Sequence, residues 1–293
     1  MVLMTLFYRA APLSLVILFL LAPSPGHADL FTGGETTYTI TKGDSLILIA
    51  AKVGVDWQVL ARENNIEPVS ILKIGRVVKV NTRRIVPKVV ENGIIINIPD
   101  RMLYYFIEGK LTDTFPIGLG MLDWETPTGK FTINMKEQNP TWRVPRSIQA
   151  EMAAKGESVK TLVPPGPDNP LGRFALHTSI PGILLHETIW PATAYQFRSH
   201  GCIRIPPERM EKLYPIVPVG TKGELIYEPI KIAVTAENRV LLEVHRDIYR
   251  KIPSMDTEVR ARLQKRGVSS RVNWETVEKA VREKSGVVED ITL

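Results

Sequence analysis

The chain has one cysteine in 293 residues, Cys202, so no intramolecular disulfide can staple it. Long apolar runs are also missing: beyond residue 28 nothing approaches the roughly 20 apolar residues that a membrane-spanning helix needs. Basic residues do not gather into a block, so the net charge of +6 argues against a nucleic-acid partner and suits an anionic polymer. No internal repeat is evident. With 44% hydrophobic and 23% charged residues, the composition excludes disordered and fibrous classes, and 22 Pro with 20 Gly exclude one long helix bundle. The length predicts about two domains.

The N-terminus does hold one apolar run, Leu13 to Ala22, preceded by Arg9 and followed by Gly26 and Ala28 at the positions a signal peptidase reads. Residues 1–28 are therefore predicted to be a cleaved signal peptide, which sends a soluble protein to the periplasm or cell wall. No Cys follows the run, so a lipoprotein is not indicated. In that oxidising space a single free thiol asks for a reason.

Residues 37–81 read as strand, helix, helix, strand. Thr37 to Ile40 alternates, Asp44 or Ser45 can cap a helix carrying Leu46, Ile49, Ala50 and Val53, and Gly54 stops it. Asp56 can cap a second helix that ends at Asn64 and Asn65, and Ile74 to Val80 returns as a strand. After a linker with Arg83, Arg84 and Pro87, residues 92–229 are strand-rich. Gly93 to Pro99 and the runs flanking Glu108-Gly109-Lys110 come first, then a strand from Lys130 to Met135. A long excursion from Asn139 to Gly172 includes a short helix that Ser147 can cap. Excursions of that length in compact domains are more often functional lids than filler. Strands at Arg173 to Thr178 and Ile183 to His186 follow, then a helix opening with Pro206-Pro207-Glu208 and a strand from Gly223 to Tyr227. Residues 230–293 form an accessory extension, highly charged from Lys251 onward, with helical patterns ending at Gly267 and Gly286. The fold class is α+β: a β-rich sandwich preceded by a small βααβ unit and followed by a short helical tail.

The chemistry concentrates in Ser199-His200-Gly201-Cys202-Ile203-Arg204, with His186 sixteen residues before the cysteine. A thiol is mostly protonated at neutral pH and needs a base or cation beside it to act as a nucleophile, which His186 or His200 can supply. Gly201 leaves backbone N–H groups free to face an oxyanion, and the Arg204 fork can hold a carboxylate or orient the loop. His177, His186, His200 and Cys202 could nominally ligate zinc, but they lack CxxC or HxxxH spacing. No metal or organic cofactor is expected.

Tyr38-Thr39-Ile40, Lys42-Gly43-Asp44-Ser45-Leu46, Ile49-Ala50, Leu60, Asn64-Asn65 and Ile74-Gly75 resemble the pattern of the LysM domain. That resemblance implies binding to N-acetylglucosamine-containing glycans such as peptidoglycan. From about Asn92 to Pro229 the chain resembles the L,D-transpeptidase catalytic (YkuD) domain. The resemblance rests on Leu185-His186-Glu187-Thr188, the Ser199 to Arg204 motif, Asp168-Asn169-Pro170-Leu171-Gly172, Pro127-Thr128-Gly129, Asn139-Pro140-Thr141-Trp142 and Val219-Gly220-Thr221. It implies that Cys202 attacks the carbonyl of the third residue of a tetrapeptide stem, releases the terminal D-Ala and forms a thioester that an amine acceptor resolves. His186 would be the general base. His200 and Gly201 would shape the oxyanion site, Ser199, Arg204 and Thr188 would support it, and carbapenem sensitivity would follow. A hydrolase on the same fold and an inactive wall-binding protein are the alternatives. Two departures stand out: Glu187 replaces the family's glycine, and Ala194 to Arg198 replaces its Gly-rich loop. Both are expected on the acceptor side, with His177 as the structural partner of Glu187.

Overall fold

The computed structural model describes residues 31–67 and 70–293, so the expected signal peptide lies outside the described residues. Among those described, no helix is long and apolar enough to cross a membrane.

The N-terminal unit follows its local signals. Helix α1 (Leu46–Val53) is capped by Ser45, whose hydroxyl accepts from the Leu48 N–H, and it ends at Gly54 with φ 73°. Asp44, the other candidate cap, instead accepts from Thr41 N at 2.7 Å and from Lys52 Nζ at 2.7 Å. Helix α2 (Trp57–Glu63) is capped by Asp56. Strands Glu35–Thr39 and Val77–Asn81 pair antiparallel, and Ile40, Ile49, Leu60, Val78 and Val80 close a separate small core.

The central unit is a mixed sheet of eight strands. From one edge to the other they run Ile203–Ile205, Leu184–Glu187, Phe174–Thr178, Gly129–Gln138, Lys222–Ile226, Gly93–Asn97, Met102–Ile107 and Lys110–Pro116. Two neighbour pairs are parallel, Leu184–Glu187 with Ile203–Ile205 and Lys222–Ile226 with Gly93–Asn97. One face carries Ile94, Ile96, Phe131, Ile133, Leu185 and Ile203, fully or almost fully buried, and helix α4 (Pro207–Ile216) brings Met210 and Leu213 into the same core. In the excursion between strands Gly129–Gln138 and Phe174–Thr178 stands α3 (Arg146–Ala154), which has no buried residue. It starts after Pro145, and Ser147, expected as its cap, is the second residue inside it.

Residues 230–290 are more than a helical tail. Helices α5 (Met255–Lys265) and α6 (Trp274–Glu283) stand where the periodicity placed them. They pack with a three-stranded sheet, Ile230–Val234, Val240–His245 and Ser285–Asp290, around a core that includes Ile232, Leu242, Val259, Leu263 and Val277.

The linker, the catalytic sheet unit and the C-terminal extension meet in a buried polar knot. Lys231 Nζ donates to Asp100 Oδ2 at 2.9 Å, to the Ile85 carbonyl at 2.9 Å and to Glu243 Oε1 at 2.6 Å. Glu243 also accepts from Ile85 N at 2.7 Å and meets His245 Nε2 at 2.6 Å, and Tyr104 donates to Asp100 at 2.7 Å. Burial would raise the Glu243 carboxyl, but the Lys231 charge and the His245 hydrogen bond hold it down at about 2. Asp100, Glu243 and His245 could by distance form a metal set, but the Lys231 ammonium already takes their carboxylate oxygens.

Candidate active site

Strand alternation assembles the site. Leu185 and His186 lie opposite Ile203 and Arg204 in the parallel pair. Leu185 and Ile203 point into the core, so His186 and Arg204 leave by the other face of the sheet. Cys202 stands one residue before Ile203, at the start of its strand, and its thiol donates to the Gly182 carbonyl at 3.3 Å. The Leu184 N–H points at the sulfur, which places the thiol on the strand that carries His186 two residues on.

His186 is buried, and its Nδ1 lies 2.7 Å from the Glu187 carbonyl. A carbonyl only accepts, so Nδ1 carries the proton and Nε2 keeps its lone pair. Burial, reinforced by the nearby Arg204 charge, lowers this imidazole to about 4, so it is neutral at neutral pH. Burial also pushes the Cys202 thiol up, while the Leu184 N–H and Arg204 oppose that rise. The resting pair is therefore thiol and imidazole.

The turn that presents Cys202 is pinned from several sides. Ser199 Oγ donates to the Cys202 carbonyl at 2.6 Å and accepts from Gly201 N at 3.2 Å. Gly201 has φ +100°, a region that L side chains rarely adopt. Its carbonyl accepts from Thr126 Oγ1 at 2.8 Å, and Thr126 Oγ1 in turn accepts from Gly120 N at 2.9 Å. Tyr249, from the C-terminal extension, donates to the Gly120 carbonyl at 2.7 Å and accepts from Thr126 N at 3.1 Å. Thr126 stands in a turn that the sequence singled out only for its Pro-Thr-Gly. Tyr249, 123 residues away from Thr126, had no local signal. Tyr249→Phe should remove both bonds within a buried site, cost about 1–3 kcal/mol of stability, and slow acylation of Cys202. A urea titration run beside single-turnover kinetics checks this; unchanged kinetics would mean that the tyrosine only packs.

His200 faces the excursion. Its Nε2 lies 2.7 Å from Glu151 Oε2 on α3, and its ring meets Trp124 edge-on at 5.0 Å. The His200 imidazole thus ties the turn to the excursion helix. Thr188 is fully buried: its N–H donates to the Ile205 carbonyl at 3.1 Å and its hydroxyl accepts from Trp190 N at 3.1 Å. Arg204 is half-buried and lies 5.6 Å from the Trp190 ring. Among the described residues no carboxylate pairs with it.

The first departure from the expected motif does not take its expected partner. Glu187 is buried and pairs with Arg173 Nε at 3.1 Å, not with His177, which pairs with Glu137 at 3.0 Å. On the sheet Glu187 points opposite to His186, so its charge is neutralised away from the base. Gly172 makes room for it, since a Cβ there would come within 2.6 Å of the Glu187 side chain. Ala194 and Tyr195 are buried in a cluster with Ala51 of α1 and with Val86, Met102 and Tyr104. Tyr195 holds φ 59°, with the Arg101 guanidinium 4.1 Å from its ring centre and Arg101 Nη1 donating to its carbonyl at 3.1 Å. The loop's added bulk forms the seat of the N-terminal unit.

Comparison with known proteins agrees with this arrangement. Residues 91–232 match the family model of the L,D-transpeptidase catalytic domain, and residues 38–81 match that of the LysM domain. A probable L,D-transpeptidase of Escherichia coli K12, YcfS, is 34% identical over 227 residues, covering 75% of this chain and 71% of the relative. The chain belongs to the L,D-transpeptidase family. Two further Escherichia coli K12 relatives named probable L,D-transpeptidases are similar as well: YbiS at 33% identity, covering 76% of this chain and 74% of its own length, and ErfK/SrfK at 31%, covering 78% and 74%. Among solved structures, the catalytic domain of the Enterococcus faecium L,D-transpeptidase aligns at 22% identity and a TM-score of 0.36, over 47% of this chain and 98% of that one. The LysM domain packs directly on the loop between His186 and Cys202.

Proposed function

We propose that this protein is a periplasmic L,D-transpeptidase that uses Cys202 as its nucleophile and His186 as its base on the tetrapeptide stems of peptidoglycan. The observation that carries the reading is the tautomer. Nδ1–H of His186 is held by the Glu187 carbonyl, which leaves the Nε2 lone pair free to accept a proton.

His186 Nε2 takes the thiol proton as sulfur attacks the carbonyl of the third stem residue. The tetrahedral oxyanion collapses, the bond to D-Ala breaks, and the departing amine takes the proton from His186. An incoming amine then gives its proton to His186, attacks the thioester and restores the thiol. One amide is broken and one is made, so the chemistry needs no ATP, metal or organic cofactor.

The Gly201 N–H is turned to Ser199, and the Cys202 N–H donates to no group among the described residues, which makes it the oxyanion donor in this reading. The Arg204 guanidinium is available for a stem carboxylate, and its charge favours both the thiolate and the oxyanion. Ser199 and Gly201 set the turn. His200 joins it to the excursion, and Thr188 shapes the Trp190 side of the cleft. The LysM domain holds the enzyme on the glycan and raises the local concentration of stems.

Mass spectrometry of purified disaccharide-tetrapeptide incubated with the protein tests the proposal. Dimers joined between third residues, with loss of D-Ala and absent with Cys202→Ala, are expected. Tripeptide alone would replace transfer by hydrolysis, and unchanged tetrapeptide would leave a binding protein.

A further inference from the structure

Three depressions run together where the LysM domain, the catalytic sheet and the C-terminal extension meet. The first, about 380 Å³, lies between Trp57 and Gln58 of the LysM domain and Phe197 and Arg198 beside the catalytic turn. A small one of about 80 Å³ shares Arg101, Phe197 and Arg246 with it. That one shares Arg246, Ile248 and Lys284 with a third of about 940 Å³, which extends past Arg250 and Arg282 to Leu122. Leu122 opens the single helical turn Leu122–Trp124, and Trp124 lies against His200. A groove thus leads from the LysM domain, through Arg246, to the helical turn Leu122–Trp124 that packs against His200.

Its charges are unevenly matched. Every acidic residue lining it already has a protein partner. Asp56 meets Arg101 at 3.7 Å, Asp256 meets Arg260 at 2.9 Å, and Glu283 meets Arg62 at 3.6 Å. Asp247 accepts from the Tyr227 hydroxyl at 2.6 Å and from two backbone N–H groups. Among the described residues Arg198, Arg246, Arg250, Arg282 and Lys284 form no salt bridge. These cations outnumber the carboxylates that line the same surface, and the excess positive charge is a cost that an anionic ligand offsets. Four of the five are arginines, whose planar fork suits carboxylates, and the aromatic residues Trp57 and Phe197 line the first depression.

We propose that this groove holds a peptidoglycan strand by the free carboxylates of its peptide stems, and that the C-terminal extension supplies most of the cations. The inference rests on the peptidoglycan reading above and gives the extension a role. A strand held here is engaged by the LysM domain at one end and approaches the Cys202 turn at the other, so the groove sets the direction in which strands enter.

The test uses the triple variant Arg250→Gln/Arg282→Gln/Lys284→Gln, whose side chains make no hydrogen bond or ion pair among the described residues. Soluble glycan strands with free stem carboxylates should bind the variant about tenfold or more weakly than the wild type, with a shallower salt dependence. The same strands with methyl-esterified stems should bind both proteins equally weakly. An uncharged chitin oligosaccharide should bind both equally well, because the LysM domain is untouched. Equal binding of the carboxylated strands to both proteins, or a parallel loss of chitin-oligosaccharide binding, would overturn the groove. Strands that bind through the groove while the wild type neither cross-links nor trims their stems would overturn the catalytic reading instead.

Discussion

Replacing His186 by glutamine should lower stem turnover about 10²- to 10⁴-fold, the range that a positioned base contributes. Glutamine can still donate to the Glu187 carbonyl, so the strand keeps its bond while the base is lost. The pH dependence separates this from a folding defect. In the wild type the imidazole titrates at about 4 because burial disfavours its charged form. Activity per free enzyme, kcat/KM, should therefore fall only as pH drops through about 4 and stay level toward neutrality. In the variant only spontaneous thiolate can attack. Since burial holds the thiol up, residual turnover should climb steadily with pH through the neutral range. A wild-type acid limb near pH 6.5 would show that burial does not lower this imidazole, and a flat profile in the variant would show that the thiol ionises without it; either result would overturn this assignment. The same shift affects stability. A histidine whose folded pKa lies below its unfolded value binds more protons when unfolded, so stability is lost as pH falls from about 6.5 to about 4.

The second large effect is structural. Lys231→Met should destabilise the protein by about 3–5 kcal/mol, because it leaves Asp100 and Glu243 buried without their shared counter-charge. Methionine fills similar volume, so packing is nearly retained and the loss reports the charges. Glu243 is held at about 2 chiefly by Lys231 against its own burial, so in the variant its pKa should rise and the deficit should shrink on acidification. Chemical denaturation at two pH values measures both. A loss below about 1 kcal/mol would mean that the knot is open to water. Because Lys231 also bonds the Ile85 carbonyl, the variant should loosen the linker strand beneath the LysM domain, which native-state hydrogen exchange would register at Ile85.

Much of the molecule could be read before any coordinates, for local reasons. Ser45 and Asp56 cap their helices, Gly54 ends the first, and the strand carrying His186 stands where the sequence placed it. These signals act over a few residues and do not depend on the rest of the chain. The spacing of thiol, histidine and arginine likewise lies within one turn and one neighbouring strand.

What escaped depends on distance along the chain or on disguise. The strand Val240–His245 is wholly buried, yet it carries Glu243 and His245, so its sequence gives no clean alternation and the segment read as an accessory extension. Only a lysine on the next strand and an aspartate from the catalytic unit make such burial tolerable. Glu187 looked like a charge beside the base until the strand turned it away toward Arg173. The sequence by itself determined the family and singled out Cys202 and His186 as candidates, because these rest on local motifs and their spacing. Only the tertiary structure decided the proton's place on His186, the Tyr249 brace under the cysteine turn and the cationic groove, because each is a balance of burial and charge among residues that meet only after folding.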